Sequence, residues 1–417
     1  MISGKAYTRY CKFLVGPIAV LLSLIGVNIQ PQTIASQSQA TCQQTQSPPR
    51  FLVFGGGGSP RNNEVALENN LLYFQRTLSR LGVNPTSADF FFANGNSGQA
   101  TIRYLDARRQ ERFKKPAIPY LDGEATVTNL RNWFSQAAQT GSDRPIFFYF
   151  TGHGFPNSWL EDNNAMLLWQ NTPVSVQQFS TLLDQLPQST PVVVVMAQCY
   201  SGSFANLIYR GGDPTQAIAL QTRCGFFATI KSQPSVGCTP EVNEADYRDY
   251  SSSFFAGLSG YSRTGAKVTS ADYNQDGKIS YAEAHAFAKV DEQSIDLPVS
   301  TVEAWLLDQG SVQDERRILN QPMVELITIA APQRQYVVKS LADRFQFDLQ
   351  RSFLDNVEAL QKLPSADEEV EMAYLNRLQR ELMTIGMEKR VRDRGDQEAI
   401  AILDRLNVCE SSSWMGL

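Results

Sequence analysis

The run Pro191-Val-Val-Val-Val-Met-Ala-Gln-Cys-Tyr-Ser-Gly-Ser-Phe204 and the earlier run Pro145-Ile-Phe-Phe-Tyr-Phe-Thr-Gly-His-Gly-Phe155 share one design. Each is an unbroken stretch of β-branched or aromatic residues that ends abruptly in small ones, the pattern of a strand buried on both faces. His153 closes the first and Cys199 the second. The residues between them leave room for a loop, the short apolar run Ala165–Trp169 and an amphipathic helix over Val174–Leu186. A crossover of that kind makes the two strands parallel. In an open parallel sheet, reactive groups collect beyond the carboxyl ends of the strands. A thiol and an imidazole are therefore expected at one edge. A free cysteine titrates near ~8.5 and needs such a neighbour to act as a nucleophile at neutral pH. The chain has two histidines, and the second, His285, falls in a segment of different character, which leaves His153 as the base. The other reading is a buried structural cysteine and a capping His-Gly turn.

Tyr149-Phe-Thr-Gly-His153-Gly154 and Gln198-Cys199-Tyr-Ser-Gly-Ser203 resemble the His-Gly and Cys-x-Ser-Gly motifs of the cysteine peptidase clan of legumains, caspases and metacaspases. Phe51–Phe54 followed by glycines and Arg61 is similar to the opening of the legumain branch. The resemblance covers about residues 50–260. It implies an α/β, three-layer sandwich with a mostly parallel sheet and a His153–Cys199 dyad that hydrolyses peptide bonds. It also implies an oxyanion site built from the amides of Gly154 and Cys199, and a specificity pocket to which Arg61 and Asp249 contribute. The sequence departs from the clan at Gly152, Ala197 and Tyr200, positions at which members carry acidic residues. An alternative from another class is a catalytically inactive fold of this type that serves as a calcium-dependent binding or scaffold protein.

Elsewhere, apolar spacing predicts a helix over Glu64–Leu81 closed by Gly82, a strand over Asp89–Ala93, a helix over Thr126–Ala138 and a strand over Gly225–Ile230. Strand and helix alternate, as in a parallel α/β sandwich. The glycines 55–58 lack the Gly-Lys-Ser/Thr of a phosphate loop and read as a turn opening onto the cleft. Net charge −5 with 19% charged residues offers no basic surface for nucleic acid.

Lys5, Arg9 and Lys12 precede the apolar run Phe13–Val27, which has the form of a signal peptide rather than a membrane span. Residues 1–35 are expected to be removed and 36–49 to be a linker. Membrane contact is expected only if this segment stays uncleaved. The body is exported, to a periplasm or the exterior, with a prokaryotic envelope favoured. Export makes the cysteines informative. With Cys199 kept free, Cys224 and Cys238 are expected to pair across a short loop, and Cys42 with Cys409 to tie the ends.

A second motif is Asp272-Tyr-Asn-Gln-Asp-Gly-Lys-Ile-Ser-Tyr-Ala-Glu283. Oxygen ligands Asp272, Asn274, Asp276 and Glu283, a glycine at the sixth place, the backbone carbonyl of Lys278 and Ser280 through water match an EF-hand-type calcium loop. The expected cofactor is Ca²⁺, and His285 is expected on the surface of the following helix, Tyr281–Val290. The catalytic domain is placed at 50–265, the calcium segment at 266–295 and a mostly helical region at 296–417. Within that region Ser300 and Ser365 are read as helix caps and Val324–Ala330 as a strand. The helices pack on themselves or on the sheet, or cap the catalytic cleft.

Overall fold

The computed structural model describes residues 48–414. The leader segment, its cleavage sites and Cys42 lie outside the described residues. Seven strands form one sheet: β1 (Arg50–Gly56), β2 (Asp89–Phe92), β3 (Leu121–Gly123), β4 (Ile146–Gly152), β5 (Val192–Ala197), β6 (Arg223–Phe227) and β7 (Val299–Ser300). Their order across the sheet is β7-β6-β5-β4-β1-β2-β3. All neighbours run parallel except β6 and β7.

The apolar runs form strands because each strand has two buried faces to fill. Leu52, Phe54, Phe148, Phe150, Val192, Val194 and Met196 enter the core on one side of the sheet. Their neighbours Phe51, Val53, Phe147, Tyr149, Val193 and Val195 enter the other. The side-chain period of two thus leaves no polar face, and the runs read as continuous.

Twelve helices follow in chain order: α1 (Val65–Arg80), α2 (Val127–Thr140), α3 (Val176–Leu183), α4 (Tyr250–Ser259), α5 (Tyr281–Asp291), α6 (Thr301–Asp308), α7 (Val312–Leu319), α8 (Met323–Ile329), α9 (Pro332–Arg344), α10 (Phe353–Ala359), α11 (Glu368–Arg394) and α12 (Gln397–Glu410). Helices α1, α4 and α5 pack mainly on one face and α2, α3, α6 and α7 on the other, while among the later helices α9 and α11 also reach α5 and α12 carries Cys409 into the first core. The described residues, 48–414, belong to a single compact unit, and the helices after Ser300 share the core of the sheet. Trp414 closes this arrangement: its ring meets Phe51, Phe147 and Phe74 at 4.8, 5.4 and 5.7 Å.

Several local expectations change. Ser300 does cap α6, with the full reciprocal capping box to Glu303. Ser365 does not cap α11; Asp367 does, its carboxylate accepting from the Val370 amide. The run Val324–Ala330 is not a strand but lies largely in α8, where Met323, Leu326 and Ile327 bury one helical face. A short apolar run cannot be told from a buried helix by periodicity alone. His285 is buried rather than on the surface. Its Nδ1 meets the Tyr250 hydroxyl at 2.7 Å and its Nε2 the Glu303 carboxylate at 3.2 Å. Helix α5 is covered by α4, α9 and α11 and has no free face there, so Lys289 is buried too, paired with Glu303 and Glu381.

The disulfide pairing also differs. Cys224 in β6 joins Cys409 in α12, with Cα atoms 6.0 Å apart, while Cys199 and Cys238 are free. Closeness in sequence favoured Cys238, but that residue is carried across the sheet to the end of β4, where its Sγ donates to the Gly152 carbonyl at 3.7 Å. A bridge closing so long a loop restricts the unfolded chain strongly. Cys409→Ser is expected to cost about 2–5 kcal/mol. Urea unfolding with and without reductant checks this: reduction should destabilise the parent protein to the level of the variant and leave the variant unchanged.

Candidate active site

The chain runs β1 to β2 to β3 toward one edge of the sheet, then returns through β4, β5 and β6 toward the other. The reversal lies between β1 and β4, and the carboxyl ends of strands at such a switch point form a natural crevice. Three side chains with the chemistry of a site arrive there. His153 follows β4 directly, and Cys199 stands two residues after β5. Glu64 is the N-cap of α1, just after β1. Register aligns them: Gly56 pairs with Gly152 and Ala197 with Thr151.

The glycine run makes this delivery possible. A Cβ on Gly57 would lie 1.5 Å from the Asn62 carbonyl oxygen, so only glycine lets the loop fold back. The Gly57 amide then donates to Asn63 Oδ1 at 3.0 Å. A Cβ on Gly154 would lie 2.0 Å from the Cys199 carbonyl oxygen, which places the two motifs in backbone contact. Tyr200, next to the thiol, holds φ at +59°, unusual for a residue with a Cβ. Its amide donates to the Gln233 carbonyl at 2.9 Å.

Within the crevice, His153 Nε2 lies 3.0 Å from Glu64 Oε2. The other carboxylate oxygen, Oε1, accepts from Arg103 at 2.6 Å, and Arg103 also pairs with Glu111 at 2.7 Å. Arg103 comes from the antiparallel hairpin Ile102–Leu105 and Glu111–Lys114. Burial opposes a charge on His153, but its bonds to Cys238 and Glu64 outweigh that and raise the ring to about 11. Burial likewise pushes the Cys199 thiol up, against the pull of the His153 charge. The Glu64 carboxyl is opposed by its burial but is held below its usual value by His153 and Arg103.

A strap, Gln233–Pro240, crosses this crevice. The Cys199 thiol donates to the Ser235 carbonyl at 3.4 Å rather than to His153. Further along, Cys238 reaches Gly152, the Thr239 carbonyl accepts from the Ala66 amide at 3.2 Å, and the Pro240 carbonyl accepts from the Leu105 amide at 2.9 Å. Asp296 holds the near end, accepting from Ser235 Oγ at 2.7 Å and from the Val236 amide at 2.9 Å. The loop carrying Asp296 is itself gripped by Arg377 of α11. That buried guanidinium donates to the carbonyls of Lys289, Glu292, Ser294 and Asp296 at 2.8–3.1 Å.

The structure brings His153, Gly154 and Cys199 together. Arg61 is exposed on the turn Pro60–Asn62, ahead of Glu64. Asp249 is buried as the N-cap of α4, pairs with Arg263 at 3.0 Å and lies against Gly237 of the strap. A cleft of about 510 Å³ is lined by Phe155, Pro156, Asn157, Leu167, Asn171 and Pro173, and none of Glu64, His153 or Cys199 lines it. Gln198 is buried against Gly154 with no hydrogen-bond partner for either end of its amide among the described residues. Glu64, Arg103, Cys238, Asp296 and Arg377 were not read from the sequence as site residues. Glu64 looked like a helix start and Cys238 like half of a disulfide, and no local motif marks the others.

The loop Asp272–Glu283 is closed on itself. Both oxygens of Asp272 accept amides, from Asp276 at 3.1 Å and from Gly277 at 3.0 Å, with Gly277 at φ +82°. Asn274 Oδ1 accepts from Asp276 N at 2.9 Å, and Asp276 Oδ1 from Lys278 N at 2.9 Å. Ser280 caps α5, and Glu283, buried, accepts from Tyr273 N at 3.0 Å and Ser280 N at 2.8 Å.

No family model matches this chain, and no curated protein does. Among solved structures it is similar to the crystal structure of a Geobacter sulfurreducens protein determined as a structural genomics target, at 12% identity and a TM-score of 0.37, over 60% of this chain and 92% of that one. A likeness of that size carries no inference about fold or activity.

Burial pushes Asp296 up to about 7, against its bonds from Ser235 and Val236, and drives Glu292 well above its usual value. Carboxyls raised on folding stabilise fully below their unfolded value, near ~4, and that contribution is lost as pH rises through about 7. Asp296→Asn keeps the shape and removes the titration. Urea midpoints should therefore fall between pH 5 and pH 8 in the parent protein and fall less in the variant.

Proposed function

We propose that this chain is an exported cysteine endopeptidase of the caspase/legumain-like type, stabilised by calcium. The observation that carries the reading is the convergence of Glu64, His153 and Cys199 at the switch point of the sheet. Glu64 orients the imidazole through Nε2 and leaves Nδ1 to take the thiol proton. The Cys199 thiolate then attacks the scissile carbonyl, the oxyanion is met by the amides of Gly154 and Cys199, and the leaving amine takes the proton from His153. Water, deprotonated by the same imidazole, releases the acyl group. The strap must move off Cys199 for a peptide to enter, because Ser235 occupies the thiol's hydrogen bond.

The cleft beside Phe155 and Asn171 suits a peptide side chain, and the exposed Arg61 suits a carboxylate or amide at the cleaved residue. The basic-then-apolar leader and the Cys224–Cys409 bridge support export to an oxidising compartment. The strap is also what favours the rival reading, a non-catalytic scaffold. Covalent labelling of Cys199 by an active-site thiol probe separates the two.

Cys199→Ala and His153→Ala are each expected to lower peptide hydrolysis by about 10³-fold or more, with the double variant scarcely worse, because the pair acts as one unit. Substantial turnover by Cys199→Ala would overturn the mechanism.

The Asp272–Glu283 loop carries oxygen donors at the spacing a hard cation takes, and those oxygens accept amides of the same turn. Asp272, Asn274, Asp276 and Glu283 would hold Ca²⁺ with the Lys278 carbonyl, and Ser280 would act through water. Calcium would supply stability there, about 2.7 kcal/mol at 100 times its dissociation constant. Millimolar calcium should raise Tm, and Glu283→Gln should abolish the rise. Equal melting curves with and without calcium, and no calorimetric binding, would leave the loop a structural turn.

A further inference from the structure

We propose that Glu64, His153 and Cys238 form a zinc(II) site that shuts the crevice. The regulatory half rests on reading His153 and Cys199 as a catalytic dyad; the metal binding itself does not.

The donor atoms of these three residues all lie within 4.8 Å of one another. Zinc bonds of 2.0–2.3 Å in a tetrahedral site separate ligand atoms by roughly 3.4–3.8 Å, so closure needs shifts of about 1 Å. A carboxylate oxygen, an imidazole nitrogen and a thiolate are a donor set suited to zinc, whereas calcium takes oxygen alone. Cys238 is free, and its place is fixed by the strap, with Thr239 bonded to Ala66 at the start of α1. Glu64 is pre-oriented: Arg103 holds Oε1 at 2.6 Å, which leaves Oε2 facing His153 at 3.0 Å. Orientation of a ligating group by an outer partner of this kind typically strengthens a site.

Charge also balances. One thiolate and one carboxylate neutralise a divalent ion, and both the Cys238 thiol proton and the extra ring proton of His153 pass to solvent as the S–Zn and N–Zn bonds form. Three protein ligands leave a fourth position for water. The consequence is direct: a metal on His153 removes the base from Cys199 and pins the strap across the thiol. Loss of the metal frees both.

The test is calorimetry of chelator-treated full-length protein with ZnCl₂, and absorption of the cobalt(II) form. Binding of one zinc per chain at micromolar affinity or tighter is expected. Cobalt should give a sulfur-to-metal charge-transfer band in the parent and in Cys199→Ala, but not in Cys238→Ala. Cys238→Ser and Glu64→Gln should each weaken zinc binding by about 10-fold or more, with circular dichroism confirming the fold. Where the parent hydrolyses peptide, stoichiometric zinc should stop it and a chelator should restore it. No saturable zinc binding, unaltered affinity in Cys238→Ala, or a charge-transfer band lost in Cys199→Ala but kept in Cys238→Ala would overturn the site. Persistence of the band in Cys199→Ala reads the metal independently of turnover. A protein that binds zinc through Cys238 but hydrolyses nothing would thus refute the peptidase and keep the site.

Discussion

Everything at the crevice depends on the parallel register of three adjacent strands. With Gly56 opposite Gly152, and Thr151 opposite Ala197, β1, β4 and β5 end level with one another. Parallel strands need crossovers, and crossovers put helices on both faces, so the sheet interior is dry and the register is enforced by side chains buried on each side. A slip of one residue in β4 would turn Phe148 and Phe150 out of one core and Phe147 and Tyr149 out of the other. His153 is therefore positioned by aromatic packing it never touches.

The second layer of control comes from the far end of the chain. Arg377 is buried, and its hydrogen bonds go to four backbone carbonyls instead of to a carboxylate at close range; Glu292 lies 4.0 Å away. Its fixed fork is what allows one side chain to order a whole loop. That loop carries Asp296, Asp296 holds Ser235 and Val236, and Ser235 accepts the Cys199 proton. The C-terminal helices thus bear on the crevice through a continuous set of bonds.

The strap gives the two thiols different positions. Cys199 donates to the Ser235 carbonyl and Cys238 to the Gly152 carbonyl beside His153, and burial pushes the Cys199 thiol up while Cys238 and Glu64 raise the His153 ring. Under the dyad proposed above, a thiol that keeps its proton beside an imidazole that already carries one corresponds to a resting state. Moving one short segment changes both conditions, because Ser235 and Cys238 sit four residues or fewer apart on the same strand of chain.

The sequence alone determined the alternation of strand and helix, the parallel sheet, and the arrival of His153 and Cys199 at one edge. Each follows from local apolar pattern and from the stereochemistry of crossovers, which act over tens of residues. The Asp272–Glu283 turn was legible for the same reason, since its side chains bond to their own loop. Only the tertiary structure decided that Cys224 joins Cys409, that His285 is buried, that Asp249 caps α4, and that Glu64 and Cys238 meet His153. These contacts join segments separated by up to 185 residues, and across the separation of 89 positions from Glu64 to His153 no periodicity reports their meeting. Such pairings are set by which faces remain to be covered once the sheet has formed, a property of the packed chain and not of any stretch within it.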